Sequence, residues 1–320
     1  MTLEEFLAEW HSDSPYVRVK TSGSTGAPKP MLVEKQRMLN SARITCDFLG
    51  LREGDTALLC MSLDYIAGKM MVVRSIERGL KLTTVEPSGH PLAQANTPFD
   101  FVAMVPMQVY NSLQVPEEKE RLMQIRHLII GGGAIDEAME VELRTFPHAV
   151  WSTYGMTETL SHIALRRLNG PDASEWYTPF PSVSVSQTAD GCLLIDAPEV
   201  CPEPLVTNDI VEIVSSRFRI LGRKDNVICS GGIKIQIEEV ERQLRSYLHD
   251  PYLLSKRKDE KFGEIAVLLT EGSVEEVRQI CERVLPKYHQ PKAYLHVAQI
   301  PLTETGKPAR QQAEKLLILS

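Results

Sequence analysis

Residues 21–29 read Thr-Ser-Gly-Ser-Thr-Gly-Ala-Pro-Lys, and these residue types suit the binding of a polyphosphate. Glycine has no side chain, so the backbone of such a loop approaches a ligand closely and turns its amides inward. Serine and threonine hydroxyls add donors to this anion-binding nest, and a lysine adds positive charge. The residues that the loop offers to phosphate are Thr21, Ser22, Gly23, Ser24, Thr25, Gly26 and Lys29.

The spacing of this loop differs from that of a P-loop kinase or GTPase, which requires G-x-x-x-x-G-K-[ST]. Two residues separate Gly23 from Gly26 and Gly26 from Lys29, and Pro30 follows the lysine. A flexible Ser/Gly linker is the alternative interpretation. Residues 16–20 and 31–33 are typical of short strands, however, and a hairpin closed by Gly and Pro favours a defined phosphate loop.

A second segment, residues 129–134, reads Ile-Ile-Gly-Gly-Gly-Ala and predicts a strand that ends in three glycines. In α/β proteins, ligands bind at the carboxyl ends of strands, and this bare backbone has room for a flat purine. A tight turn from the strand to a helix explains the same residues equally well.

A third segment, residues 151–159, reads Trp-Ser-Thr-Tyr-Gly-Met-Thr-Glu-Thr. Tyr154 offers a ring that stacks on a base, and Thr157 offers a donor to phosphate. The Glu158 carboxylate is the kind of hard oxygen ligand that Mg²⁺ prefers beside a nucleotide. A polar loop with an incidental carboxylate is the alternative.

A fourth group begins at Asp209, just before a predicted strand at residues 210–214. A carboxylate accepts hydrogen bonds from two ribose hydroxyls, and Arg223 offers a fork of donors. A surface ion pair between Arg223 and Asp225, which would contribute little energy, is the alternative.

The remaining candidates are two glycines and one lysine. Gly231 and Gly232 permit a ligand to approach the backbone closely. Lys307 ends the segment Pro-Leu-Thr-Glu-Thr-Gly-Lys near the tip of a turn. Considered alone, this lysine resembles most solvent-exposed lysines.

Alternating strands and helices must position the N-terminal candidates. Buried strands are predicted at residues 56–61, 101–105 and 127–130, and the segments between them show helical spacing of apolar residues. This alternation predicts an α/β fold with a parallel sheet covered on both faces. The predicted helices span residues 35–49, 65–78 and 136–146.

After residue 180 the pattern changes to short strands separated by turns, at residues 192–195, 210–214 and 217–221. They predict a small antiparallel sheet. Beyond the polar stretch 222–226, helices at 238–248, 273–285 and 308–317 and a strand at 264–269 predict a smaller α+β domain. We therefore place one large layered α/β domain at residues 1–222 and a C-terminal domain at residues 223–320.

Composition narrows the function classes. The 320-residue chain is 43% hydrophobic with a net charge of -7, and it has no long basic run, so a nucleic-acid partner is not expected. The six cysteines include no C-x-x-C pair, which favours buried free thiols over a zinc site or disulfides. The absence of a signal-peptide pattern and of a long apolar run predicts a cytoplasmic protein without membrane insertion.

Together, in this order, these segments resemble the adenylate-forming superfamily of acyl-CoA synthetases, luciferases and peptide-synthetase adenylation domains. The matching segments are residues 21–29, 154–159, Asp209, residues 222–241 and residues 301–307. Within the superfamily, residues 60–74 and 100–108 are similar to those of 2-succinylbenzoate–CoA ligases of menaquinone synthesis.

The resemblance implies a two-step reaction with ATP and coenzyme A as co-substrates and Mg²⁺ as cofactor. A carboxylate attacks the α-phosphate of ATP, and the thiol of coenzyme A then displaces AMP. It also implies that the phosphate loop closes over the β- and γ-phosphates, with Lys307, Thr157 and Glu158 as catalytic residues and Glu158 as the metal ligand. The further ATP- or AMP-binding residues implied are Gly132, Gly133, Ala134, Tyr154, Gly155, Met156, Asp209 and Arg223.

The resemblance further implies that the C-terminal domain moves. Lys307 docks for adenylation, and the domain then rotates about a hinge near Asp225 to bring Gly231 and Gly232, as a coenzyme A tunnel, to the thioester step. The acyl pocket is expected near the second predicted helix and the stretch after Glu158. Its candidate residues, each with a structural role as the alternative, are Tyr65, Gly68, Arg74, Ser161 and His162.

The sequence departs from the superfamily pattern in three ways. Relatives carry a substantial segment before the phosphate loop, so part of the first subdomain is expected to be missing, and a homodimer would shield the surface left open. Pro30 and Asn208 stand where glycine is usual. Two alternatives to the succinylbenzoate ligase remain open: an acyl- or aryl-CoA ligase for another carboxylic acid, and an AMP-binding pseudoenzyme.

Overall fold

The computed structural model describes residues 1–20, 30–95, 98–302 and 308–319. The phosphate loop 21–29 and residues 303–307, which include Lys307, lie outside the described residues. The chain divides into two compact units. Unit 1 comprises Met1–Ser186, Leu194–Leu205 and Ile213–Arg219, and unit 2 comprises Gln187–Leu193, Val206–Glu212 and Ile220–Ser320.

The first half of unit 1 contains a hairpin and the start of a parallel sheet. Its elements are α1 (Leu3–His11), β1 (Tyr16–Lys20), β2 (Pro30–Glu34), α2 (Lys35–Leu49), β3 (Thr56–Leu59), α3 (Ile66–Arg78), β4 (Lys81–Thr84) and β5 (Phe101–Met104). The chain continues through α4 (Pro106–Leu113), α5 (Pro116–Met123), β6 (His127–Ile130), α6 (Glu137–Leu143), β7 (Ala149–Gly155), β8 (His162–Arg167) and β9 (Thr178–Pro179).

Strands β3 to β9 form a seven-stranded sheet in the order β4-β3-β5-β6-β7-β8-β9. The first five are parallel, as predicted, whereas β8 and β9 add an antiparallel edge that the sequence did not predict. All four residues of β5 are buried, and Val102 and Met104 pack in a cluster with residues of α4, α5 and α6. Because alternate residues face opposite sides of a strand, both faces of the sheet are covered.

Four strands follow in chain order and are neighbours in that order, as a meander requires: β10 (Ser184–Gln187), β11 (Cys192–Asp196), β12 (Leu205–Val214) and β13 (Arg217–Arg223). Strand β12 begins five residues earlier than predicted, so Asp209 lies inside a strand rather than before one. Thr207 supports this extended backbone, since its hydroxyl accepts the Asp209 N–H at 3.0 Å.

Residues 227–319, which belong to unit 2, contain a five-stranded sheet in the order β15-β14-β17-β16, with β18 beside β17. Helices α7 and α8 contribute to the apolar cluster on one face and α9 to a second cluster. The elements are β14 (Val227–Ser230), β15 (Ile233–Gln236), α7 (Ile237–Leu244), β16 (Tyr252–Asp259), β17 (Gly263–Thr270), α8 (Val274–Val284), β18 (Ala293–His296) and α9 (Arg310–Leu319).

All six cysteines are free thiols, and five of them are buried as predicted. Cys229 is the exception, because its side chain lies on the exposed side of the short strand β14. Within the described ranges, no helix is long and apolar enough to cross a membrane.

Candidate active site

The predicted hairpin of strands on either side of residues 21–29 is confirmed. Strands β1 and β2 pair antiparallel, with Lys20 opposite Pro30. Lys20 and Pro30, the described residues on either side of the segment 21–29, are therefore neighbours in unit 1. Val17 and Val19 are buried on the inner face of β1, which explains why the strand is held there.

The three glycines follow β6 as predicted, at the carboxyl edge of the parallel sheet. Gly132 and Gly133 are exposed, as is Ala134, and Gly132 has a φ of +82°, which favours glycine. A Cβ on Gly131 would lie 2.3 Å from the Thr153 hydroxyl of β7. The glycine next to β6 is thus required for close packing, while the two after it present bare backbone.

Tyr154, the residue predicted to stack on adenine, belongs to β7 rather than to a loop. Its ring is 7% exposed and packs edge-on against Phe218 with ring centroids 5.1 Å apart. The centroid of the Tyr177 ring lies 5.9 Å from that of the Tyr154 ring, and the Tyr177 ring stacks on Phe218. No pattern in the sequence predicts this aromatic cluster, because its members lie far apart in the chain.

The turn after β7 is tightly built. A Cβ on Gly155 would lie 2.2 Å from the Ser161 carbonyl oxygen, so only glycine fits there. The Thr159 hydroxyl accepts the N–H of Met156 at 3.0 Å and donates to the Ser161 carbonyl at 2.8 Å. Leu160 has a φ of +64°, which a side chain disfavours, and its burial at 3% exposure holds it there.

Thr157 and Glu158 occupy this turn in different ways. Thr157 is buried, whereas Glu158 is exposed, and no hydrogen bond or ion pair joins its carboxylate to another described residue. Across the described part of the chain, no group of three or more His, Cys, Asp or Glu side chains forms a metal site. One open carboxylate still fits Mg²⁺, because this ion is commonly held by one or two carboxylates together with substrate phosphates.

Three acyl-pocket candidates lie in contact. Arg74 on α3 donates from Nη2 to the Ser161 hydroxyl at 2.5 Å, and that hydroxyl lies 3.2 Å from His162 Nδ1. The opposite ring nitrogen, His162 Nε2, lies 3.0 Å from the hydroxyl of Thr45 on α2. Thr45 was not among the predicted site residues, since nothing in the sequence indicates that α2 reaches the start of β8.

Arg74 is a buried cation, 2% exposed, and no carboxylate forms an ion pair with it among the described residues. Its Nε is buried without a hydrogen-bond partner. Burial lowers the pKa of Arg74 to about 10, so the side chain remains charged at neutral pH. Buried charges are normally paired, and this arrangement therefore suits an anionic ligand.

The His162 ring is held neutral. Burial, and then the Arg74 charge, lower its pKa well below the usual 6.5. A neutral imidazole has one donor and one acceptor nitrogen, so it links the Thr45 and Ser161 hydroxyls without adding a second positive charge.

The lowered pKa of His162 makes the free energy of unfolding depend on pH. Below about pH 6.5 the unfolded chain binds a proton at His162 that the folded protein excludes, so the free energy of unfolding should fall as the pH falls. One such group contributes a slope of about 1.4 kcal/mol per pH unit. Urea unfolding from about pH 7 to about pH 5 measures it, and the variant His162→Asn should lose this slope.

Burial also lowers the pKa of His127, to about 4, and that residue adds a slope of its own in both proteins. The comparison of wild type with His162→Asn isolates the one residue. Equal slopes in the two proteins would contradict the assignment of a buried neutral imidazole.

The other two acyl-pocket candidates lie at the start of α3. Tyr65 is its N-cap residue and is half-buried. A Cβ on Gly68 would lie 2.3 Å from the Ser62 carbonyl oxygen, so this glycine allows the helix to pack closely on the chain before it. Gly68 therefore has a structural reason for its identity.

Unit 2 brings Asp209, Arg223 and Asp225 together. The Arg223 guanidinium donates from Nε and Nη2 to the two carboxylate oxygens of Asp225, both at 2.9 Å, and from Nη1 to Asp209 Oδ1 at 3.2 Å. Partial burial raises the pKa of the Asp225 carboxyl, but the bonds from Arg223 outweigh it and hold the pKa below its usual value. The ion pair considered as the alternative is thus present, together with a contact to Asp209 that the sequence did not predict.

Gly231 and Gly232 form the turn between β14 and β15. Both are exposed and have positive φ, +57° and +85°. The Gly231 N–H donates to the Phe262 carbonyl at 2.8 Å, and a Cβ there would lie 3.0 Å from the Phe262 ring, whereas nothing lies within 4 Å of a Cβ on Gly232.

The sequence of this chain matches a known protein family. The model of a family described as AMP-binding enzyme matches residues 4–192. The 2-succinylbenzoate–CoA ligase of Salmonella typhimurium is 25% identical over 311 residues, which cover 91% of this chain and 66% of that protein. The ligase of the same name from Bacillus cytotoxicus is also 25% identical, over 93% of this chain and 69% of its own. The chain thus spans about two thirds of the length of these relatives.

Solved structures agree. An acyl-CoA synthetase (AMP-forming)/AMP-acid ligase II-like protein from Dyadobacter fermentans is 33% identical, with a TM-score of 0.67, and the match covers 99% of this chain and 93% of that one. The O-succinylbenzoate coenzyme A synthetase of Bacillus subtilis, solved with ATP and magnesium, has the same fold at 23% identity and a TM-score of 0.76, over 92% of this chain and 69% of its own. By the family match over more than half its length and by the 33% identity to the Dyadobacter fermentans protein, the chain belongs to the AMP-binding enzyme family.

Proposed function

We propose that this protein is an ATP-dependent carboxylate–CoA ligase that acts through an acyl-adenylate, with 2-succinylbenzoate as its acid. Family membership and the names of the relatives support the reaction class. The observation that carries the choice of acid is the burial of Arg74, which forms no ion pair with a carboxylate in the described part of the chain.

The acid has two carboxylates, and only one of them reacts. An oxygen of the reacting carboxylate forms a bond to the α-phosphorus of ATP while the bond to the bridging oxygen breaks, and pyrophosphate leaves. The second carboxylate needs a cation in the acyl pocket, and a guanidinium binds a carboxylate through two parallel hydrogen bonds. Arg74 has this capacity, and Ser161 beside it is a hydroxyl donor for the keto group.

The nucleotide is held from several sides in this proposal. The loop 21–29 binds the β- and γ-phosphates, and Gly132, Gly133 and Tyr154 take the adenine. Asp209 and Arg223 bind the ribose. Thr157 donates to the α-phosphate, and Glu158 is the protein ligand of a magnesium ion that neutralises phosphate charge.

The second step is thioester formation. The sulfur of coenzyme A attacks the acyl carbon, its proton goes to solvent, and the bond from that carbon to the AMP oxygen breaks. Gly231 and Gly232 offer a surface without side chains to the thiol arm. We place the mobile domain at residues 223–320, with Asp225 as its hinge, so that Lys307 serves the first step and the glycines the second.

Pyrophosphate release across a panel of acids tests the function. We expect kcat/KM for 2-succinylbenzoate to exceed that for benzoate by about 100-fold or more, since benzoate leaves the Arg74 charge buried and unpaired. Turnover of benzoates or medium-chain acids without turnover of succinylbenzoate would assign a different acid. AMP binding without adenylate formation from any acid would mark the protein as a pseudoenzyme.

A further inference from the structure

A second buried cation lies on α3, five residues before Arg74, and the function proposed above does not use it. The Lys69 side chain is 2% exposed. Its ammonium donates to the main-chain carbonyl of Arg18 in β1 at 2.8 Å and lies 5.2 Å from the centre of the Phe6 ring. A carboxylate oxygen of Glu9, on α1, lies 3.9 Å from the same ammonium.

Glu9 binds the other main-chain group of the same residue. Its second carboxylate oxygen accepts the Arg18 N–H at 2.9 Å. In an antiparallel pair, alternate residues direct both backbone groups away from the partner strand, and Arg18 is such a residue. Side chains from two helices therefore occupy the free edge of β1 at one point; we name Glu9 and Lys69 together the Arg18 clamp.

The Arg18 clamp joins two helices to a strand at a cost in desolvation free energy. Burying an ammonium is unfavourable unless it is paired and hydrogen-bonded, and apolar side chains of similar volume stabilise a contact equally well or better. What a charged pair adds is geometry: it fixes the orientation of the two peptide groups that flank the Cα of Arg18. These groups lie shortly before Lys20, where β1 ends and the segment 21–29 begins.

We propose that Glu9 and Lys69 are positioning residues for ATP: they hold the end of β1 so that the phosphate loop starts in the orientation that receives the β- and γ-phosphates. The clamp acts through the backbone and touches no ligand itself. This inference rests on the proposed function, since it assumes that the loop binds a triphosphate.

The clamp makes a selective prediction, because AMP has neither a β- nor a γ-phosphate. Calorimetric titration of the full-length protein with ATP and with AMP, each with magnesium, should show that Lys69→Met raises the Kd for ATP by about tenfold and leaves that for AMP within about twofold. A general loss of structure would weaken both nucleotides alike.

Two milder variants keep the test valid if Lys69→Met folds poorly. Lys69→Arg keeps a cationic donor for the Arg18 carbonyl, and we expect it to restore most of the ATP affinity. Glu9→Gln keeps an acceptor for the Arg18 N–H but removes the charge opposite Lys69, so we expect a loss of about threefold for ATP only. As a matched control, Arg126→Met removes a cation paired with Asp55 and Asp100 at the opposite, amino ends of the strands, and both affinities should stay unchanged.

The outcomes separate the two proposals. If wild type binds both nucleotides and Lys69→Met, or Glu9→Gln where that variant must stand in, weakens neither of them or weakens them equally, the clamp is overturned while the ligase assignment stands. If wild type binds no ATP at all, the proposed function is overturned and the clamp with it.

Discussion

Replacing Lys307 by alanine is expected to slow pyrophosphate release from acid and ATP by about 10²- to 10³-fold, because one positioned cation contributes this much to a transition state that gains charge. Thioester formation from a supplied acyl-adenylate and coenzyme A should stay within about twofold of wild type, since the proposed domain rotation withdraws Lys307 from the nucleotide in that step. Quenched-flow assays of the two half-reactions measure both rates.

The control for this variant is Lys315→Ala, which removes an exposed lysine of α9 from the same C-terminal segment. Both half-reactions should be unaffected. If Lys307→Ala impaired the two half-reactions equally, the proposal that the C-terminal domain presents different residues to each step would have to be abandoned.

Arg74→Met should separate stability from activity. With no carboxylate paired to it in the described structure, the buried guanidinium costs desolvation energy, so methionine should raise the Tm of the ligand-free protein. The KM for 2-succinylbenzoate should rise by about 30-fold or more, the equivalent of at least ~2 kcal/mol, because the second carboxylate of the acid loses its cation. Calorimetry and pyrophosphate release provide the two measurements.

Arg78→Met is the matched control on the same helix. Arg78 donates to Asp47 and to the Leu51 carbonyl, so its removal should lower the Tm and leave the preference among acids unchanged. A lower Tm for Arg74→Met together with an unchanged KM for succinylbenzoate would mean that Arg74 is a structural residue, as the alternative interpretation holds.

Local sequence patterns correctly predicted those helices and strands whose formation depends mainly on their own residues. Helix α2 and strand β6 have the predicted bounds, and the hairpin of β1 and β2 is confirmed. The sequence did not predict the edge strands β8 and β9, and β9 has only two residues, which are too few to show an alternating pattern. The prediction that Asp209 precedes a strand is wrong: Asn208 and Asp209 are poor strand formers, yet pairing within a sheet overrides that preference.

The candidate site shows where a single sequence stops being informative. Arg74, Ser161 and His162 are each predicted as candidates from the sequence. The hydrogen bond between Arg74 and Ser161, however, joins residues 87 positions apart, and no periodicity in the sequence predicts it. The same applies to Tyr154, whose neighbours Tyr177 and Phe218 come from other strands and loops. A pattern can nominate a residue, whereas its partners follow only from how sheets and helices pack.

The exposed thiol of Cys229 is a natural attachment point for a thiol-reactive label. Since the other five cysteines are buried, a maleimide fluorophore will react at one position without any engineered residue. That position lies on the strand that leads directly into Gly231 and Gly232. If Gly231 and Gly232 line the path of the thiol co-substrate, as proposed, a dye there would report its arrival optically, on the wild-type chain and in real time.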